Sequence, residues 1–235
     1  MIRFLAVACL MLSTVLPTPA QTTRPPSFVD AASVVPNLVV DMRYLGSDNF
    51  VGRPIDGYEK PVCYLTREAA TALAGVARDI EPQGLAIKAF DCYRPVRAVA
   101  HFVRWAQNLA DVVRKAEFYP DTDKRDLFRD GYIAARSGHS RGSTLDMTLV
   151  RRVGGKDLGG KDLAGKELDM GTPFDFFSSR SAPSDTGVSA EARANRRLLA
   201  DAMRRRGFIP YSKEWWHFTL RGEPFPDTYF DFPVR

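Results

Sequence analysis

Apolar and polar positions divide the chain into a short leader and a longer periodic region. Arg3 is followed by a largely apolar run from Phe4 to Leu16, which leads into Thr18-Pro19-Ala20. The run is too short for a comfortable membrane span, and small residues at Thr18 and Ala20 suit signal peptidase, so Met1–Ala20 reads as a secretory signal peptide. Cys9 sits too early for a lipoprotein cleavage site. Gln21 to Phe28 is rich in Pro and Thr. Residues 21–36 therefore read as an extended leader, and one domain is expected over 37–235, with no later segment able to cross a bilayer.

Within that domain the periods change from two to 3.6 and back. Leu38–Tyr44 predicts the first strand. Thr66 is a fitting N-cap for a helix to about Ile80, with Leu73, Val76, Ala77 and Ile80 at helical spacing and Glu68 in the first turn. Leu85–Phe90 predicts a strand bounded by Gly84 and Asp91, and Pro95 opens a second helix whose apolar face carries Val96, Val99, Ala100 and Val103. His101 falls on the opposite face with Arg97 and Arg104, which marks it as a surface histidine rather than a ligand. Ser189 caps a third helix ending at Gly207. Phe208–Tyr211 then leads into Trp215–Leu220, which predicts a buried strand. Strands and helices come mixed without an even βαβ rhythm, so the expected fold is α+β, a mainly antiparallel central sheet flanked by helices. In Gly154–Gly165 the tetrapeptide Gly-Lys-Asp-Leu occurs twice and a Gly-Lys-Glu-Leu copy begins at Gly165, too few and too short for a solenoid, and an exposed inserted loop is expected there.

Composition narrows the function classes. Removing Met1–Ala20 takes away only Arg3 among charged side chains, so the formal net charge falls from +5 to +4. The densest basic run, Arg204-Arg205-Arg206, ends a helix before Gly207, where cations meet the helix dipole, and it is not read as a nucleic-acid surface. Two cysteines remain after leader removal, Cys63 and Cys92, in a compartment that permits disulfides. Sequence leaves open whether they pair, because it does not supply the distance between them.

Two of the three histidines lie in informative segments: Ser137-Gly138-His139-Ser140-Arg141-Gly142-Ser143-Thr144-Leu145-Asp146 and Glu214-Trp215-Trp216-His217. His139, Asp146 and His217 make the two-imidazole, one-carboxylate set that catalytic zinc uses, with a fourth position left for water. Gly142 would let the intervening loop turn tightly enough for its ligands to converge. Glu214, three residues before His217, would reach the metal from a turn-like backbone and act as the base; on a regular strand it would face the wrong side unless a bulge intervened. Arg94, at a strand-to-helix junction fixed by Pro95, is placed to stabilise a developing oxyanion. Asp91 is equally placed to cap the helix.

These segments closely resemble the VanX-type D-alanyl-D-alanine dipeptidases, whose fold is shared by D-Ala-D-Ala peptidases and the Hedgehog signalling domain. The likeness runs from about Leu38 to Arg235 through Asp91-x-Tyr93-Arg94-Pro95, the Ser137–Asp146 block, Met170-Gly171-x2-Phe174-Asp175-Phe176, Glu214–His217 and Phe230-Asp231-Phe232-Pro233-Val234. The resemblance implies one Zn2+ per chain on His139, Asp146 and His217, Glu214 as general base and Arg94 at the transition state. It further implies that Asp175 meets the substrate ammonium, Ser137 the carboxylate end, and that Tyr44, Asp91 and Trp215 shape or support a small closed pocket. The Gly-Lys-Asp-Leu repeats depart from the family pattern by lengthening the loop between Asp146 and Met170, which puts the pocket's size in question. The expected activity is hydrolysis of the dipeptide D-Ala-D-Ala by an exported, periplasmic enzyme of cell-wall metabolism, with no nucleic-acid partner, no membrane contact after leader cleavage and the oligomeric state left open. The alternatives are a peptidase trimming longer peptidoglycan peptides and a zinc-stabilised binding module without turnover.

Overall fold

A computed structural model of the chain describes residues 23–156 and 162–235. The expected signal peptide lies outside the described residues. In chain order the elements are β1 (Phe28–Asp30), β2 (Val39–Val40), β3 (Tyr64–Thr66), α1 (Arg67–Ile80), β4 (Leu85–Asp91), α2 (Val96–Gln107), the single-turn α3 (Lys115–Phe118), β5 (Thr144–Lys156), β6 (Asp162–Glu167), α4 (Ala190–Arg205), β7 (Phe208–Pro210) and β8 (His217–Leu220). The main sheet runs β2-β4-β5-β8-β7, with β6 hydrogen-bonded to β5. Every pairing in it is antiparallel except β2 with β4. This is the α+β architecture that the mixed periodicity predicts. No helix among the described residues is long and apolar enough to cross a membrane.

The caps explain where the long helices begin. Thr66 Oγ1 accepts the Ala69 N–H and Ser189 Oγ the Ala192 N–H, each satisfying a donor that the first helical turn leaves free. α1 buries Leu73, Val76, Ala77 and Ile80 against β4 and α4. Pro95 stands just outside α2, whose first turn is held by Asp231 accepting the Arg97 N–H at 2.8 Å. The C-terminal Phe-Asp-Phe block is thereby tied to the site's own helix.

Several expected elements differ, among them the face of α2, which buries Ala98, Val99, Phe102, Trp105 and Ala106 and leaves Val96 exposed. Within Leu38–Tyr44 only Val39–Val40 pairs, because Arg43–Leu45 turns into a 3-10 helix that buries Tyr44. Order also starts well before Leu38: β1 pairs with β3, and Phe28 is fully buried against Tyr93, Phe230 and Phe232. The Gly-Lys-Asp-Leu stretch is largely drawn into the β5–β6 hairpin rather than forming one long loop, its centre at 157–161 lying outside the described residues. Backbone groups of β5 and β6 supply the ladder, so the repeats lengthen a hairpin.

Cys63 and Cys92 are joined by a disulfide, their α-carbons 5.2 Å apart. The bridge ties the end of β4 to the segment entering β3, and a cross-link over a loop of this length contributes about 3 kcal/mol, mainly by restricting the unfolded chain.

Gly142 shows how tightly the site loop is set against this core. Its φ is +82°, and a Cβ there would lie 2.1 Å from Phe28 Cε1. Gly142→Ala is therefore expected to cost about 3 kcal/mol through combined backbone strain and overpacking. Urea denaturation checks this, and an unchanged midpoint would contradict the contact.

Candidate active site

The pairing register assembles the site. Across three adjacent strands, Asp91 of β4 is opposite Asp146 of β5, and Asp146 is opposite His217 of β8. A register shift between Ala89 and Asp91 brings Asp91 into that row, as a bulge does when it re-aims a side chain. His139 arrives from the 3-10 turn Gly138–Arg141, which Ser137 caps and Gly142 ends. Met147 N–H donates to Trp216 O, so Trp215 and Trp216 form the turn before β8, which starts only at His217. That turn resolves the parity problem: Glu214 lies beside His217, Oε2 to Nδ1 3.7 Å.

His139, Asp146 and His217 bring one donor atom each within 4.8 Å of one another. His139 Nδ1 is 2.7 Å from the Cys92 carbonyl. Only an N–H can meet a carbonyl, so Nδ1 holds the proton and Nε2 presents its lone pair. His139 Nε2 lies 3.3 Å from both His217 Nδ1 and Asp146 Oδ2, and His217 Nδ1 is 3.0 Å from Asp146 Oδ1. Asp146 Oδ1 is buried and, among the described residues, has no hydrogen bond of good geometry, facing only His217 Nδ1. Such an orphan oxygen is costly, and donors spaced this way fit a small cation with bonds of about 2.0–2.1 Å, whose tetrahedral edge is roughly 3.3 Å. The residues present therefore fit a zinc-type centre.

Around the donors the charges alternate. Arg94 Nε meets Asp91 Oδ2 at 2.8 Å, and its Nη2 reaches Asp146 Oδ2 at 3.5 Å, so one guanidinium separates two buried carboxylates. Its flat face covers the Tyr44 and Phe102 rings at 5.2 Å. Asp91 also accepts a 2.6 Å hydrogen bond from Tyr58 and stands 3.4 Å from His139 Nδ1. Burial would raise the Asp146 carboxyl, but His139 and His217 outweigh it and hold Asp146 below the usual carboxylate range. Glu214 goes the other way: burial, reinforced by Asp146 and Asp175, pushes it well above that range. Burial lifts Asp175 too, with Asp146 adding to it, while the Tyr44 hydroxyl, donating to Asp175 Oδ2 at 2.8 Å, opposes the rise.

Tyr44, Arg94, His139, Asp146, Asp175, Glu214 and His217 line a cavity of about 190 Å³ together with Phe50, Phe102, Arg136, Ser137, Phe177 and Tyr211 and the strip Gly131–Ala134. Of the residues expected at the site, Tyr44, Arg94, Ser137, His139, Asp146, Asp175, Glu214 and His217 all face it. Asp91 and Trp215, expected among the substrate contacts, stand behind its wall instead. Asp91 anchors Arg94 rather than capping α2, and Trp215 Nε1 donates to Thr172 Oγ1 behind the Glu214 turn. Asp175 has a φ of 59°, a left-handed conformation that neighbouring structure must hold. Arg196 of α4 does so: buried, it donates to the carbonyls of Met170, Arg180 and Ala182, at both ends of the Asp175 loop. Sequence reading missed Arg196, Tyr58 and Thr172, which carry no local motif. It also missed Arg136, whose adjacency to Ser137 was a usable signal. His101 lies off the site, paired with Asp56 at 3.1 Å. Among the described residues of the β5–β6 hairpin, none beyond Asp146 lines the cavity.

Three convergent donors, a buried carboxylate beside them and a small cavity define the class of single-metal hydrolases. The chain belongs to the D-ala-D-ala dipeptidase family of peptidases, whose pattern matches residues 24–235. It is 40% identical over 195 residues to the D-alanyl-D-alanine dipeptidase of Enterococcus faecium, covering 83% of this chain and 92% of the relative. It is 41% identical over 208 residues to the enzyme of the same name from Streptomyces coelicolor, covering 88% and 97%. The Enterococcus faecalis D-alanyl-D-alanine dipeptidase is 39% identical over 194 residues, covering 83% and 91%.

Proposed function

We propose that the protein hydrolyses the dipeptide D-Ala-D-Ala to two molecules of D-alanine, with one zinc ion on His139, Asp146 and His217. The observation that carries this reading is the buried His139–Asp146–His217 donor cluster with Glu214 beside it. The similarity to named dipeptidases supports the substrate. Zinc, when bound, makes a water molecule acidic near neutral pH and polarises a carbonyl. Glu214, beside His217, takes the proton from the attacking water and passes it to the departing amine nitrogen. Arg94, held by Asp91, meets the negative charge that develops on the carbonyl oxygen. Asp175 takes the substrate ammonium with Oδ1, since Oδ2 is held by Tyr44. Ser137 Oγ accepts the His139 N–H and so has its own proton to offer the substrate's carboxylate end.

Purified protein is expected to cleave D-Ala-D-Ala, to lose that activity and its zinc together under a chelator, and to regain both on adding zinc. N-acetyl-D-Ala-D-Ala should resist, because acylation removes the ammonium that Asp175 would bind. Cleavage of the acylated peptide alone would favour a peptidase for longer chains, and zinc binding without turnover would favour the binding module.

The Met1–Ala20 pattern further supports export to the periplasm, and the Cys63–Cys92 bridge agrees with an oxidising compartment. There the enzyme would meet dipeptide released from the wall, which favours recovery of D-alanine. Cell fractionation tests this, and activity confined to the cytoplasm would refute it.

A further inference from the structure

The cavity holds a second arginine with a different electrostatic situation. Arg94 is already committed to Asp91 and Asp146. Arg136 also lines the cavity, and among the described residues no acidic side chain pairs with it. It is exposed, so an ordinary surface arginine would sweep through many rotamers. This one is seated at the cavity's edge: its Cζ stands 4.1 Å from the centroid of the Tyr229 ring, which lines an adjoining pocket with Arg136 and Ser137. Tyr229 is in turn held by Arg141, whose Nη1 donates to the Tyr229 hydroxyl and whose guanidinium pairs with Glu223 at 2.7 Å. Stacking uses the face of a guanidinium and leaves its N–H edge free for a carboxylate.

The polar groups lining the cavity also differ in charge. Asp175 and Glu214 supply negative charge, whereas Arg136 is next in sequence to Ser137, whose hydroxyl proton has no protein acceptor among the described residues. A zwitterionic dipeptide lying with its ammonium at Asp175 would need a cation at its other end.

We propose that Arg136, seated on Tyr229, binds the C-terminal carboxylate of the substrate and so makes the enzyme select peptides ending in a free carboxylate one residue beyond the scissile bond. This rests on the dipeptidase reading and adds a specificity residue to it.

The test compares the parent, Arg136→Ala and Arg136→Lys on D-Ala-D-Ala and on D-alanyl-D-alaninamide, whose terminal carboxylate is replaced by an uncharged amide. Arg136→Ala is expected to raise KM for the dipeptide by about ten- to a hundredfold, the usual range for losing one charged hydrogen-bonding partner. Its kcat should stay near the parent value and its kinetics on the amide should not change, so the preference for the free acid collapses. Arg136→Lys should recover part of the preference. A parent enzyme inert towards the dipeptide would overturn the function on which this depends. A parent that cleaves the dipeptide while Arg136→Ala keeps the full preference for the acid would overturn the role of Arg136 alone.

Discussion

Replacing Glu214 by glutamine is expected to leave one zinc per chain in place while hydrolysis of D-Ala-D-Ala falls by about a thousandfold, within the ~10²–10⁴ that positioned acid–base groups supply. The two halves of this result have separate causes. Glu214 is not in the donor cluster, so a neutral isostere leaves His139, Asp146 and His217 untouched. Glutamine has no basic oxygen for the water proton. The same substitution should raise the midpoint of thermal unfolding of the metal-free protein, because it removes a carboxylate buried close to Asp146 and Asp175. Zinc content, steady-state rates and a melting curve on one preparation check all three. Retained activity would assign the base elsewhere, and lost zinc would make Glu214 a ligand.

Arg94→Leu should be damaging in both stability and rate. Arg94 lies between the buried carboxylates of Asp91 and Asp146. Removing it leaves two like charges facing each other across neighbouring strands, and breaking a buried pair in this way costs about 3–5 kcal/mol. The rate should fall by at least about a hundredfold, the loss seen when one oxyanion donor is removed. Rates measured well below the variant's unfolding midpoint separate the two effects. Arg94→Lys keeps the charge but cannot contact both carboxylates with a planar fork, and should recover stability better than rate. A variant as stable as the parent would show that the Asp91–Arg94–Asp146 arrangement holds nothing together.

Much of this was legible in the chain because it depends on near neighbours. The limits of α1 follow from Thr66 and the spacing of Leu73, Val76, Ala77 and Ile80. Those of α4 follow from Ser189 and Gly207, the latter with a φ of +88°. The donor types were equally open to reading, since a histidine flanked by Ser-Gly and Ser-Arg-Gly, an aspartate beyond it and a Glu-x-x-His segment carry their chemistry in their identities. Local reasoning went wrong where a distant contact outweighed propensity. Tyr44 lies in a sequence that alternates like a strand, yet it turns inward, where its ring covers Arg94 and its hydroxyl reaches Asp175 across 131 positions. Phe28 sits among prolines and threonines, but packing against Tyr93 and the C-terminal aromatics orders it.

The sequence by itself determined which side chains could bind a metal, take a proton or carry positive charge, and which segments would be helical. These are properties of residues and of periods a few positions long. Only the tertiary structure decided that Asp91, Asp146 and His217 form one row across three strands, that the Cys92 carbonyl sets the tautomer of His139, and that Cys63 meets Cys92. It also decided that Arg136 has a seat while Arg94 is already engaged. Each of these depends on strand register and on packing between residues far apart in the chain, where a shift of one position would send every side chain of a strand to the opposite face.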